Sequence, residues 1–460
     1  MNKKAKIKKE DSSLKKSKAK QEKNSQVQEI AKEPKRKIEL TLNWKRAIHI
    51  SKPINDALLK ELTPIILQMK QDSSDPITVG IDSPGGNVSA MESLLSLLKS
   101  PNQDGKSVSI YTAVTNRAYS AAASFLAFGD YSVCFPHSDI LYHDVRYSDI
   151  DDVTSSKALE AARQLERRNA AFSLKLANYI QKRLIWVYLY LKPRFNDVRK
   201  RSAKFAEDYD KIFAELLPKN QKQIVDVVGM SLALFSELSA PNDKDIAIRA
   251  LQMLASWMQI ERIEKKLSKT ESGKETDPVK GISDLIDVIQ KIDLEQATAP
   301  QLPESAEDSG LPETIRNDIR LLLEVLARRL AIDKNEHIND SWLDKLIDDF
   351  SFMKDINNSS HIRATTRMMV KNSYAFFERD TADKITKAKD EEERNNLLAP
   401  FYPQARLFWY YIVLICRCLC RGNHFLTPSD AQVLGLVDEV LGGGPIQSRR
   451  EWRKAQPNYE

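Results

Sequence analysis

Three short stretches hold the residues whose types and spacing could do chemistry. The first is DSPGGN at 82–87, which follows the β-branched run PITVGI (76–81) and precedes a stretch of helical spacing. A Pro-Gly-Gly turn there presents backbone N–H groups at a helix N-terminus, where they can steady negative charge developing on oxygen. The same residues also suit an ordinary turn between a strand and a helix. The second stretch, AYSAAA at 118–123, follows another strand-like run, VSIYTAV (108–114). Small residues around Ser120 permit a tight strand-to-helix corner with the hydroxyl exposed above a sheet, as a serine nucleophile requires. A serine placed so is equally suited to capping the helix that follows. The third stretch, DILYH at 139–143, reads as a strand ending in His143. Histidine is the usual general base for a serine hydroxyl. Of the six histidines (49, 137, 143, 337, 361 and 424), His143 alone ends a core strand in this region.

The elements that must hold these stretches alternate. Short apolar-alternating runs at 38–42 and 47–50 precede a helical pattern over 55–69, whose Leu58, Leu59, Leu62, Ile65, Ile66 and Met69 share one broad face. Strands at 76–81, 108–114 and 140–143 alternate with helices at 88–98 and 120–128. Repeated βα units imply mostly parallel pairing with right-handed crossovers. Glycine placement bounds this piece. Five of the 14 glycines lie from Gly80 to Gly129 and five from Gly422 to Gly444, but only four between them. Glycine makes tight turns and is sparse in helices, so two α/β pieces flank a long helical segment. Helical windows cover 158–180, 198–217, 221–238, 243–267 and 314–331, with a polar, proline-bearing linker near 268–312. The closing piece starts near Phe425. Thr427, Pro428 and Asp430 suit a helix N-cap, N1 and N3, Gly435 ends that helix, and 436–441 reads as a strand.

Charge and cysteine usage exclude other classes. The net charge of +6 combines a tail (1–37) holding 14 Lys/Arg and 5 Asp/Glu with a remainder holding 56 and 59. The basicity therefore belongs to a tail expected to be disordered, and nucleic acid is expected at most as a partner of that tail. Four cysteines in 460 residues make no disulfide framework, which fits a reducing, cytoplasmic setting. Cys416, Cys418 and Cys420 sit two apart, a spacing that spreads them around a helix, so no metal site is expected. No apolar run follows the lysines of 1–9, so no secretory signal is expected. LFWYYIVLIC (407–416) is too short to span a bilayer and reads as a buried helix, with a membrane-interface segment as the alternative.

In order and context, these stretches resemble the Clp protease proteolytic-subunit family, within the fold it shares with crotonases. RAIHISKPI, ITVGIDSPGGNV, VSIYTAVTNRAYSAAASFLAFGD, FPHSDILYH and FLTPSDAQVLGLVDEVL carry the resemblance, across roughly 44–183 and 424–442. It implies an α/β Clp/crotonase-like core of βα units, interrupted here by a large all-helical insertion. The organisation expected is a tail (1–37), a core (38–183), the insertion (184–406), the completion of the core (407–445) and a second tail (446–460). The resemblance further implies a serine endopeptidase that needs no metal or organic cofactor. Ser120 would be its nucleophile and His143 its general base, with the N–H groups of Gly86 and Ala121 as the oxyanion hole.

The sequence departs from the family at the third triad member. No carboxylate lies between Pro403 and Asp430, where the family's acid would fall. Asn423 is the candidate for orienting His143 through its amide oxygen, and Asp144 is expected to point elsewhere on strand alternation. A Ser–His dyad, or an acid supplied from the helical segment, would also serve. The family's partners are peptide or unfolded-protein substrates, further copies of the chain in a ring, and an unfoldase ATPase. The sequence holds no GxxxxGK[ST] loop, so such an ATPase would be a separate protein. The missing acid and the insertion also support a second reading, a catalytically weak or inactive homologue acting as an assembly or interaction scaffold.

Overall fold

In the computed structural model of the protein the described residues are 40–146, 154–201, 222–247, 249–251, 253–254, 257 and 379–451. The expected basic tail, the linker near 268–312, the helix over 314–331 and most of the window over 198–217 lie outside them. All the elements below belong to the second of two units, Leu42–Glu460, the first being Met1–Thr41.

The strands are β1 (Ala47–Ile50), β2 (Ile77–Ser83), β3 (Ile110–Tyr119), β4 (Tyr131–Cys134), β5 (Asp139–His143), β6 (Asn423–Leu426) and β7 (Glu439–Val440). The helices are α1 (Asp56–Asp72), α2 (Val88–Lys99), α3 (Ala121–Ala127), α4 (Ser155–Arg201), α5 (Lys222–Glu237), α6 (Arg379–Thr386), α7 (Glu391–Leu398), α8 (Tyr402–Leu419) and α9 (Pro428–Val433). The main sheet runs β1-β2-β3-β4-β7, all parallel. Strand β3 changes partner along its length. Residues 111–114 pair with β4, and 117–119 pair with β5. Strand β5 then pairs antiparallel with β6. Crevices at the carboxyl ends of parallel strands, where connections diverge, are where α/β folds place their sites.

The interior strand β2 is buried on both faces, as its near-continuous apolar run requires in a parallel sheet. Asn55 caps α1 by accepting from Leu58 N at 3.0 Å, and Thr427 caps α9 by accepting from Asp430 N at 3.1 Å. The expected strand at 38–42 does not form in its described part, since residues 40–42 carry no regular structure. Two strands were not legible as such, β4 and β6, each four residues long. The expected strand at 436–441 contracts to Glu439–Val440. Its first residues close the turn after α9 instead, with Leu436 N donating to Ala431 O at 2.8 Å.

The expected helix at 158–180 is part of the 47-residue α4, which continues past Pro193. It passes through 183 and 184 without a break, so the core-to-insertion boundary drawn there falls inside one helix. Helix α8 is buried from Leu407 to Leu419 and packs on α4 and α5, with Tyr188 against Phe408 at 5.4 Å. No helix among the described residues is long and apolar enough to cross a membrane.

One buried arginine fastens α4 to the sheet. Arg183 pairs with Asp438 through Nε at 2.8 Å and donates to the carbonyls of Ala127 (2.7 Å) and Gly129 (2.6 Å) and to Ser132 Oγ (2.8 Å). A buried charge needs a partner and filled hydrogen bonds, and Arg183 has both.

Candidate active site

The site is assembled first from backbone. Past β2, Ser83 Oγ donates to Lys52 O at 2.7 Å and accepts from Gly85 N at 3.1 Å, which folds the chain into the Pro-Gly-Gly turn. Gly85 and Gly86 have φ of +89° and +147°, a region that side chains rarely adopt. A Cβ on Gly85 would sit 2.3 Å from Tyr119 O and 2.8 Å from Ser120 Cβ; one on Gly86 would sit 2.3 Å from Ile54 O. The turn is thus wedged between Ser120 and Ile54. Ile54 N donates to Gly85 O, and Asn87 N donates to Ile54 O, both at 2.8 Å. This bridge uses neither side of the Gly86 N–H. Beyond the turn, Asn87 caps α2 by accepting from Ser89 N and Ala90 N.

Ser120 is the one non-glycine residue with positive φ among the described residues, at φ 56° and ψ −123°. Such a conformation costs about 1–3 kcal/mol and persists only where the surroundings enforce it. Here Ser120 N donates to Leu141 O at 2.7 Å, its carbonyl accepts from Ser124 N at 3.3 Å, and the wholly buried α3 follows at once. The side chain makes no capping bond to α3, which sets aside the capping role open from sequence.

His143 ends β5. Tyr119 pairs with Leu141, so Ser120 lies one step, and His143 two steps, beyond the same point of the β3–β5 ladder. Tyr142 points beneath α3 and donates to Ala123 O at 2.9 Å, which leaves His143 on the other face of the strand. The imidazole Nδ1 lies 2.5 Å from Asp144 O. Asn423 stands opposite His143 in the β5–β6 register, but its Oδ1 accepts from Arg146 Nη2 at 2.7 Å. Among the described residues this amide oxygen bonds Arg146 and makes no bond to the imidazole. Asp144 points away from the imidazole as expected, accepting from Gly422 N through Oδ2 at 3.2 Å.

Sequence reasoning missed several neighbours. Asp82, beside the glycine turn, pairs with Arg117 at 3.2 Å and accepts from Asn116 at 3.1 Å, which ties the ends of β2 and β3 together. The exposed Phe425 meets the Tyr119 ring edge-on at 6.3 Å. Val145 N donates to Asn169 Oδ1, on α4, at 2.9 Å. Aromatic residues on strand ends were the available signal for the ring pair; nothing local marks Asn169.

The four cysteines are free and buried, and burial pushes the Cys420 thiol up to about 12. A buried thiol held so high stays neutral and is a poor nucleophile. No group of three or more His, Cys, Asp or Glu among the described residues could hold a metal ion.

A comparison with protein families matches residues 31–170 to the Clp protease family. The matched segment contains the glycine turn, Ser120 and His143, and covers under a third of the chain. No curated protein matches the chain. Over that segment the chain is similar to the Clp protease family, with a mixed α/β sheet flanked by helices.

Proposed function

We propose that this Clp protease domain is a serine peptidase that cleaves peptide bonds through an acyl-enzyme on Ser120. The observation that carries the reading is the positive-φ corner at Ser120, whose hydroxyl caps nothing and whose Cβ abuts the glycine turn. Backbone strain held at one polar side chain is characteristic of functional sites.

The chemistry runs as follows. Ser120 Oγ attacks the scissile carbonyl while His143 takes its proton. The carbonyl oxygen becomes an oxyanion, which the N–H groups of Gly86 and Ala121 stabilise. Collapse of the tetrahedral intermediate breaks the C–N bond, and His143 returns the proton to the leaving amine. Water, deprotonated by His143, then attacks the ester and frees Ser120. No metal or organic cofactor enters these steps. In this reading 38–183 and 407–445 form the peptidase core, and 184–406 is the helical insertion. Unfolded polypeptide is the substrate class. A homo-oligomer, and a separate unfoldase ATPase, are the partners that the family supplies. Four free thiols favour a reducing, cytoplasmic setting.

The scaffold reading draws on one observation, the engagement of Asn423 by Arg146 with no carboxylate on His143 among the described residues. Hydrolysis of a fluorogenic peptide separates the two. The peptidase reading expects turnover that disappears in Ser120→Ala while size and circular dichroism stay unchanged. Absence of turnover from the correctly folded, assembled wild type would favour the scaffold.

A further inference from the structure

Among the described residues no carboxylate holds the His143 imidazole, and its Nδ1 faces the carbonyl of Asp144 at 2.5 Å. A carbonyl can only accept, so Nδ1 carries a hydrogen, and in the neutral imidazole Nε2 then keeps its lone pair. That is the neutral tautomer a general base needs.

The peptide group bearing that carbonyl is fixed at its other end. Its N–H belongs to Val145 and donates to Asn169 Oδ1 at 2.9 Å. Asn169 is 8% exposed and sits in α4, a long helix docked on the sheet through Arg183. Two side-chain cross-links tie the flanking residues to the 422–423 segment: Gly422 N to Asp144 Oδ2 at 3.2 Å, and Arg146 Nη2 to Asn423 Oδ1 at 2.7 Å. The chain of contacts thus runs from the Asn169 amide oxygen, through the 144–145 peptide group, to Nδ1 of the imidazole. Accepting at the N–H of a peptide polarises its carbonyl and strengthens the bond that the carbonyl accepts.

We propose that Asn169 is the positioning residue for His143, acting through the Asp144–Val145 peptide group in the place of a triad acid. The inference rests on the peptidase reading for its consequence but not for its geometry. A peptide dipole steadies an imidazolium less than a carboxylate does, so the enzyme is a slow peptidase whose rate depends on Asn169. Asp144 contributes through its main chain, and its carboxylate acts only as a lateral tie.

Two variants test this. Asn169→Leu keeps the volume and loses the acceptor; Asn169→Asp keeps an acceptor of the same reach. The first should lower kcat about tenfold, the factor set by one lost hydrogen bond of about 1.4 kcal/mol, with KM unchanged. The second should retain the wild-type kcat or exceed it. Equal kcat in Asn169→Leu and wild type would overturn the proposal, as would a loss expressed in KM alone. Solid-state 15N spectra of histidine-labelled wild type, assigned with a His143→Gln sample, give a readout independent of turnover and of how either variant folds. The Nδ1–H tautomer is expected at His143, and the Nε2–H tautomer would overturn the proposal. Absent turnover with the Nδ1–H tautomer present would count against the peptidase reading and leave the positioning contact standing.

Discussion

The corner at Ser120 and the junction where α4 meets β4 and β7 are built from opposite materials. At the corner the main chain fixes position: two positive-φ glycines, one positive-φ serine, and the bond from Ser120 N to Leu141 O. At the junction side chains do it. Arg183 and Asp438 are 4% and 1% exposed and together reach five further groups of the sheet, its loops and the end of α3. Arg449 Nε lies 2.9 Å from Asp438 Oδ1, in an ion-pair contact that lacks hydrogen-bond alignment. Close by in sequence, Asp430 is buried with a different solution. It accepts from Ser239 N and Ser239 Oγ, and faces a second buried carboxyl, Asp243. The corner fails when an atom is added, and the junction fails when a charge loses its partner.

The largest expected effect is at the junction. Asp438→Ala leaves Arg183 buried and unpaired and should destabilise by about 3–5 kcal/mol, read by urea unfolding. The double replacement Arg183→Met with Asp438→Leu should lose much less, because no charge is stranded. Equal losses in the two would show that packing, not charge pairing, holds α4 to the sheet.

Next comes the corner. Gly85→Ala must place a Cβ 2.3 Å from Tyr119 O in a backbone conformation that favours glycine. A loss of about 2 kcal/mol is expected, together with loss of Ser120 reactivity. Retained reactivity would mean that the turn does not set the serine.

The smallest effect concerns pH. Burial first, and then the neighbouring Asp430 carboxylate, raise the Asp243 carboxyl to about 8 from an ordinary value near 3.8. Lys244, next in the chain, lies over the Phe235 ring at 5.0 Å, and Asp245 pairs with Arg249. The folded state thus holds a proton that the unfolded chain releases near pH 4. This stabilisation is fully present below that point and is lost as pH rises toward 8. Unfolding midpoints should fall between about pH 5 and about pH 8 in the wild type. Asn at 243 stays neutral throughout, so Asp243→Asn should flatten that dependence and gain on the order of 1 kcal/mol at the upper end. An unchanged slope would place the titration elsewhere.

The same contrast explains what could be read from the sequence. The corner leaves a local signature, because a backbone requirement is met by residues within a few positions: Gly85 and Gly86 after one strand, Ser120 after the next. His143 followed from its place at a strand end. The junction leaves none. Arg183 and Asp438 are 255 residues apart, and Arg183 stands in KRLIW, where a helical arginine reads as an exposed one. Lys70 is similar, buried with Nζ on the Leu97 and Ser100 carbonyls at the end of α2. Asn423 was a candidate because it falls in the stretch where the family's acid would lie; the register does set it opposite His143, but its amide oxygen accepts from Arg146. Asn169 was invisible because it acts through a peptide group. Strand β4 is buried throughout and so shows no alternation, and β6 buries His424 while exposing Phe425, against the usual apolar pattern.

The central claim is that Ser120 is an activated nucleophile. The most direct measurement is mass mapping of the full chain after treatment with a fluorophosphonate, which reacts with serines that a neighbouring base has activated. The account predicts one adduct, on the peptide containing Ser120, absent in Ser120→Ala and strongly reduced in His143→Ala. A folded, assembled wild-type protein that takes up no label, or takes it up at another serine, would contradict it.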